Sequence, residues 1–286
     1  MTDLLPADQV RAAVAETRFG DVRWVASTGS TNSDVMGLAR QGEPEGVVVV
    51  ADHQTAGRGR RGRTWQAPPG ASLMCTILLR PPARVAGWAT MAVAVSAAEA
   101  VADLAGVEPR LKWPNDLVWP GDGSAPDRKL AGILAEADWP AASAISGGWH
   151  EPSRHERRAV AVGIGINVAW GPELPPDLAE IAVALDGIVA PDAVPSRAGL
   201  LGRMLVGLEG HYGALVAHPD GLAHLRAAWK ARSATLGRRV RVDLGTDDVV
   251  GTAVDVDDDG HLVVETLEGG RRTLAVGDVV HLRPEA

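Results

Sequence analysis

The spacing of apolar residues changes near Leu236, and this change restricts the fold more than any other feature of the chain. Before it, short apolar runs alternate with longer stretches of helical periodicity. The runs lie at 47–51, 73–79, 131–135 and 160–167, and the longer stretches at 33–40, 86–105, 197–216 and 222–232. Such runs predict strands and such stretches predict helices. We therefore predict a mixed α+β domain over residues 1–235, with one short helix at 8–17 near its start.

Five short alternating segments follow Leu236, separated by turn-rich sequence such as DDDG at 257–260 and EGG at 268–270. These segments lie at 239–244, 249–255, 261–266, 272–275 and 279–282. Five short strands in so little chain predict a small all-β barrel. We expect this second domain to span residues 236–286.

A loop rich in arginine and glycine, GRGRRGRTW at 57–65, follows the first predicted strand. Glycine lets the backbone approach a ligand, and each arginine presents a planar fork of donors that fits carboxylate or phosphate oxygens. The loop therefore predicts an anion site, with phosphate as the expected anion. Its letters also match G-x-G-x-x-G, but a dinucleotide-binding loop should open a helix, whereas QAPPG at 66–70 cannot extend one. A solvated basic loop is the remaining alternative.

Lysine is rare in this chain, which has 28 lysines and arginines together but lysine only at Lys112, Lys129 and Lys230. A lysine retained among so many arginines suggests a site that needs a compact ammonium. Lys112 lies in LKWPNDL at 111–117 and Lys129 in RKLAGIL at 128–134, so both are candidate site residues. Lys230 lies in a helical stretch, and we interpret it as a surface lysine.

Five ordered segments resemble the biotin-protein ligase family. They are STN at 30–32, the arginine loop, KWPND at 112–116, KLAGIL at 129–134 and GIGIN at 163–167. The resemblance implies an enzyme that forms biotinyl-5'-AMP from biotin and MgATP, releases pyrophosphate, and transfers biotin to a lysine of a biotin carboxyl carrier domain. It also implies a mixed-sheet catalytic domain of the biotin/lipoate ligase type, followed by an SH3-like domain that closes over the ATP site or meets the carrier, or is a structural appendage.

The resemblance also implies residue roles. Lys129, Arg58 and Arg60 are the expected catalytic residues, because positive charge must offset the repulsion between the biotin carboxylate and the α-phosphate. The residues expected to bind biotin are Ser30, Thr31, Asn32, Gln54, Gly57, Gly163, Gly165 and Asn167. Those expected to bind ATP are Arg61, Arg63, Trp65, Lys112, Asn115 and Asp116. Mg²⁺ is expected to enter with the nucleotide, with its protein ligands left open.

Several of these residues keep structural alternatives. Ser30 to Asn32 could simply cap a helix, and Trp65 could be a core indole rather than a stacking partner for adenine. Asp116 could meet the carrier lysine instead of the nucleotide. Four arginines of like charge also suggest a loop that stays disordered until anions bind.

Bulk properties restrict the function further. A net charge of −8 argues against a general nucleic-acid binder, and the single cysteine, Cys75, excludes an internal disulfide. Charged Asp3, Asp8 and Arg11 make residues 1–15 unlike a signal peptide, and we expect no window of about 18 apolar residues, hence no membrane span and a cytoplasmic protein. About 20 to 25 residues precede the catalytic region, too few for a winged-helix domain, so no DNA binding is expected.

Two other functions remain as alternatives. A lipoate or octanoate ligase shares the catalytic fold, but its glycine-rich signature carries an adjacent His-Asp where this chain has arginines. A non-catalytic nucleic-acid-binding module would use the arginine loop alone. It would leave Lys112 and Lys129 unexplained, and its affinity should fall steeply with salt.

Overall fold

The computed structural model describes residues 5–121, 126–137, 156–171, 176–245, 247–275 and 277–282. Its helices are α1 (Pro6–Ala13), α2 (Thr31–Arg40), α3 (Ala89–Ala105), α4 (Pro176–Ala179), α5 (Arg197–Ala217) and α6 (Gly221–Ala231). Its strands are β1 (Val22–Thr28), β2 (Val48–Gln54), β3 (Ser72–Leu79), β4 (Arg110–Lys112), β5 (Asp116–Trp119), β6 (Arg128–Ala137), β7 (Val160–Asn167), β8 (Arg239–Asp243), β9 (Asp248–Val256), β10 (Leu262–Thr266), β11 (Arg271–Leu274) and β12 (Asp278–His281). Short 3-10 segments lie at Arg60–Gly62, Ala83–Trp88, Leu185–Gly187 and Pro191–Ala193.

The first seven strands form one mixed sheet in the order β1-β2-β3-β7-β6-β5-β4. β1 and β2 run parallel, and the other neighbouring strands run antiparallel. The central strands β3 and β7 pair along their full lengths and are buried at every position. Burial on both faces explains why these strands appear in the sequence as continuous apolar runs instead of alternating ones.

Different helices cover the two faces of this sheet. Val48 and Val50 join the main core with α3 and α5, whereas Val47 and Val49 pack against Val35 of α2. This division follows from the alternation of side chains along a strand. The short helix α2 covers only part of its face, and the rest is available for a site.

Helix α3 is a core helix, although its apolar character also suits a membrane. With the 3-10 segment before it, the stretch Ala83–Ala105 is long and apolar enough to cross a membrane, so the expectation that no such window exists was wrong. However, 72% of its most apolar window is buried, and it packs against α5 and the sheet. Its apolar residues therefore serve the interior of this fold.

The last five strands form a separate antiparallel sheet in the order β11-β10-β9-β8-β12, as predicted for a small all-β domain. Two buried tryptophans hold it against the first domain. Trp88 Nε1 donates to the carbonyl of Asp258 at 2.7 Å, and Trp113 Nε1 donates to that of Gly260 at 3.0 Å. Both carbonyls belong to the turn between β9 and β10. This attachment places β12 beside the arginine loop.

The α+β prediction is confirmed, and every predicted strand and helix is present, β7 with the predicted ends and the others with shifted ones. Three strands were not predicted, namely β1, β4 and β5. β1 is an edge strand with exposed residues at its centre, and β4 has three residues, so neither gives a clear apolar pattern. The predicted polar connections at 120–127 and 147–158 lie mostly outside the described residues.

Candidate active site

A cavity of about 440 Å³ opens between the N-terminus of α2, the arginine loop and the start of β6. It is lined by all of the residues predicted for biotin, ATP and catalysis except Gly57 and Arg61. Those two face an adjoining hollow formed by the arginine loop with Leu134 and Glu136. The fold therefore brings together residues that are more than a hundred positions apart in the chain.

One end of the cavity is a network of polar side chains at the start of α2. The Thr31 backbone N–H and hydroxyl donate to Gln54 Oε1 at 2.8 and 3.1 Å. Thr76, fully buried on β3, has its hydroxyl 2.7 Å from Asn32 Oδ1 and 2.8 Å from Thr31 Oγ1. Ser30 occupies the N-cap position, yet its side chain makes no capping bond. The helix-capping interpretation of Ser30 is therefore wrong.

Three glycines form the floor of the cavity. A methyl group at Gly163 would collide with Asn32 Oδ1, and one at Gly165 would lie 2.6 Å from Trp65 Cε2. A methyl group at Gly132 would lie 3.0 Å from the same indole. The missing side chains thus let Asn32 and Trp65 lie directly against the strands. The Trp65 indole occupies part of the surface predicted for the biotin ring, and its buried Nε1 has no hydrogen-bond partner among the described residues.

Lys129 lies at the start of β6, in the middle of the cavity wall. Its Nζ is 2.7 Å from Asp116 Oδ1 and 5.6 Å from the centre of the Trp65 ring. Its backbone is fixed by a donated bond to the Ile181 carbonyl and an accepted bond from Val183 N. Asp116 is the first residue of β5, and its pairing with Gly132 of β6 places its carboxylate within reach of the lysine.

The arginine loop has a defined conformation built on its own backbone. Gly59 N donates to the Arg63 carbonyl at 2.7 Å, and Trp65 N donates to that of Gly57 at 2.9 Å. A side chain on Gly57 would collide with the Trp65 carbonyl, so this glycine permits closure of the loop. Arg61 adopts φ of 54° and donates to the Asp243 carbonyl, and it does not line the cavity that Arg58, Arg60 and Arg63 line.

Carboxylates of the protein itself accompany these arginines. Asp278 of β12 lies 2.9 Å from Arg63, 3.5 Å from Arg60 and 3.6 Å from Arg61. Arg58 pairs with Glu136 of β6 at 2.9 Å. The loop that we expected to await external anions thus has internal ones. The second domain supplies one of them from across the interface.

Two cations of the cavity lack full compensation for their burial. Burial lowers the pKa of Arg60, an effect that Asp278 and Asp116 partly oppose. Burial also lowers the pKa of Lys112, again opposed by Asp116. A bound anion would stabilise both charged forms, so the cavity favours a negatively charged ligand. Cys75 also lines it, but burial raises the pKa of its thiol to about 12, which leaves it unreactive as a nucleophile.

Three residues of the site were missed from the sequence. Thr76 is the one polar residue inside the apolar run 73–79, and that exception was its only signal. Glu136 and Asp278 gave none, because their roles depend on contacts with Asn32 and the arginines, which are distant in the chain.

Residues 24–139 match the biotin/lipoate A/B protein ligase family, and residues 235–282 match the biotin protein ligase C-terminal domain. A biotin acetyl-CoA-carboxylase ligase from Mycobacterium tuberculosis is 40% identical over 96% of this chain and 94% of its own length. One from Paracoccus denitrificans is 34% identical over 89% of this chain and 98% of its own. The fold is similar to that of the Aquifex aeolicus biotin protein ligase solved with biotin and ATP, with a TM-score of 0.71 at 24% identity, covering 93% of this chain and all of the other.

Proposed function

The chain belongs to the biotin protein ligase family, and we propose that it attaches biotin to a carrier lysine in two steps. In the first step the biotin carboxylate attacks the α-phosphate of ATP, which gives biotinyl-5'-AMP and pyrophosphate. In the second step the carrier lysine attacks the acyl carbon and AMP leaves. No covalent bond to the enzyme is needed.

One observation carries this proposal: a single cavity is lined by a polar end, Lys129 and the arginine loop. The polar end, formed by Thr31, Asn32 and Gln54, offers donors and acceptors for the ureido ring of biotin. The arginines lie toward the other end, next to Asp278. A volume of about 440 Å³ falls within the range of about 300–1,000 Å³ found for small-molecule sites.

The first step needs positive charge where two anions meet. Lys129, Arg58 and Arg60 all line the cavity. We assign to them the stabilisation of the negative charge that grows on the α-phosphate in the transition state. Arg63 lies farther along the loop with Asp278, where it would meet the β- and γ-phosphates. Arg61 does not line the cavity, so a phosphate contact is less well supported for Arg61 than for Arg63.

Lys129 also serves the second step. Its ammonium is held by Asp116, so it stays near the point where AMP departs and can stabilise that leaving group. Asp116 has a further role available, since its carboxylate could attract the ammonium of the incoming carrier lysine. Both roles use the same narrow part of the cavity.

The nucleotide is assigned to the side of the cavity formed by Trp65, Lys112 and Asn115. The Asn115 amide is held by the Ile133 carbonyl at 2.7 Å, while its Oδ1 accepts from Arg60 at 3.3 Å. Trp65 presents an indole face for adenine and an N–H that a ligand acceptor could satisfy. Mg²⁺ would arrive with the triphosphate, and Asp116 offers it a carboxylate oxygen among the described residues.

The second domain closes over the nucleotide end in this proposal. Asp278 and Val279 of β12 line the cavity, and Asp278 touches three loop arginines. That placement favours a role in ATP binding over a structural appendage. We place the boundary between the domains at residues 235 and 236, just before β8.

The acceptor we propose is the biotin carboxyl carrier domain of a carboxylase, in the cytoplasm, since ligases of that description are similar over nearly the whole chain. The test is the mass of such a carrier domain after incubation with enzyme, MgATP and one acid. Biotin should add one biotinyl group, and a carrier whose acceptor lysine is replaced by arginine should gain nothing. Modification by lipoate or octanoate in place of biotin would assign the chain to a different acyl substrate.

A further inference from the structure

Glu136 connects the two ends of the active site, and this role rests on the proposed function. It lies near the end of β6, the strand whose second residue is Lys129. A single oxygen, Oε2, accepts from Asn32 Nδ2 at 2.7 Å and from Arg58 Nη2 at 2.9 Å. Asn32 belongs to the polar end of the cavity and Arg58 to the arginine loop.

The orientation of Asn32 depends on this carboxylate. Its Nδ2 faces two acceptors, Glu136 and the Leu134 carbonyl at 3.1 Å, while its Oδ1 faces the Thr76 hydroxyl. A flipped amide would set its oxygen against two oxygens, so the amide has one favourable orientation. Replacing Glu136 removes one of the two acceptors that fix it.

Arg58 depends on the same carboxylate for its direction. Its side chain also donates to Ser33 Oγ at 3.1 Å, again at the start of α2. The guanidinium is 47% exposed and Glu136 is 31% exposed, so this ion pair contributes little to folding stability. The ion pair instead fixes the orientation of the flexible Arg58 side chain along the cavity wall.

We propose that Glu136 is a positioning residue for the ligase reaction. It fixes the orientations of Arg58 and Asn32 relative to each other, so that the biotin carboxylate lies in line for attack on the α-phosphate. It touches neither reacting group itself. Its loss should therefore act through Arg58 and Asn32, raising KM for biotin and lowering kcat together. Its loss should leave the folded protein nearly as stable as before.

The test compares Glu136→Gln, Arg58→Gln and the double variant by biotin-dependent pyrophosphate release, with thermal unfolding measured on each. Glu136→Gln should lower kcat/KM for biotin about ten- to hundredfold, as expected for loss of a hydrogen bond to charge. The kcat/KM of the double variant should be at most about threefold below that of Arg58→Gln, because both substitutions disrupt the same Glu136–Arg58 pair. The control is Asp103→Asn on α3, which removes the ion-pair partner of Arg203 on α5. Its kcat/KM for biotin should equal that of the wild type.

Two results would overturn the inference while leaving the ligase function intact. One is a Glu136→Gln enzyme within about twofold of an active wild type, and the other is a double variant whose loss is the product of the single losses. A wild type that neither releases pyrophosphate with biotin nor binds biotin by calorimetry would instead overturn the proposed function, and this inference with it.

Discussion

Lys129 makes its contacts in a space suited to an ammonium ion. Its Nζ lies 2.7 Å from Asp116, and a methyl group on Gly132 would lie 2.9 Å from both its Cε and its Nζ. We predict that Lys129→Arg loses at least about a hundredfold in kcat, nearly as much as Lys129→Ala, because a planar guanidinium cannot occupy that point. Steady-state pyrophosphate release measures this. Lys230→Arg is the control, since Lys230 pairs with Asp255 on the surface, away from the cavity, and it should keep wild-type kcat. Near-normal turnover by Lys129→Arg would refute the point-charge argument.

Gly163 lets Asn32 lie against the sheet, so its replacement should damage the biotin end of the site. A methyl group there would collide with Asn32 Oδ1 and lie 3.1 Å from Thr76 Oγ1. We predict that Gly163→Ala raises KM for biotin at least about tenfold and destabilises the fold by about 1–3 kcal/mol. Gly37→Ala in α2 is the matched control, because nothing lies within 4 Å of its added methyl. It should keep the KM and gain up to about 1 kcal/mol from helix propensity. A normal KM in Gly163→Ala would remove Asn32 from the biotin site.

At the scale of elements, the arginine loop depends on β12 for its counterion. Asp278 pairs with Arg60, Arg61 and Arg63, so Asp278→Asn should loosen the loop. We predict that trypsin cuts this loop about fivefold faster in the variant, equivalent to about 1 kcal/mol of easier local opening. MgATP with biotin should restore protection. Asp248→Asn, which removes an exposed partner of Arg241, should not change the rate. Equal cleavage of wild type and Asp278→Asn would show that the loop is held by its own backbone.

The sequence predicts those elements whose pattern is local. The apolar runs at 73–79 and 160–167 identify β3 and β7 because both strands are buried on both faces. β1 was missed because an edge strand with exposed residues has no such pattern. The contacts of Glu136 and Asp278 cannot be read locally either, since each joins residues at least 78 positions apart. Motif chemistry therefore indicated the candidate site residues, while the fold supplied their partners.

The two domains meet at a half-buried histidine, His281, that should make the whole molecule sensitive to acid. Burial, together with Lys112 and Arg238, lowers the pKa of His281 to about 4 in spite of its bond with Asp127. Its ordinary value is 6.5, so the unfolded chain binds this proton more tightly than the folded one. Lowering the pH from about 6.5 to 4 should therefore cost up to ~3 kcal/mol of the free energy of unfolding.

Urea unfolding as a function of pH measures this loss. The pKa of Asp127 is also lowered, so its contribution is lost in a separate, more acidic range. His281→Gln should flatten the dependence between pH 6.5 and 4, whereas His224→Gln, at an exposed position on α6, should retain it. An unchanged slope in His281→Gln would mean that the domain interface does not sense this proton.

The most direct test of the account is pyrophosphate release from MgATP with biotin, lipoate, octanoate or no acid, for wild type beside Lys129→Ala. We predict release with biotin alone and its loss in the variant, because the acid must be activated at the α-phosphate beside Lys129. Release with lipoate or octanoate instead of biotin, or release that survives Lys129→Ala, would contradict it.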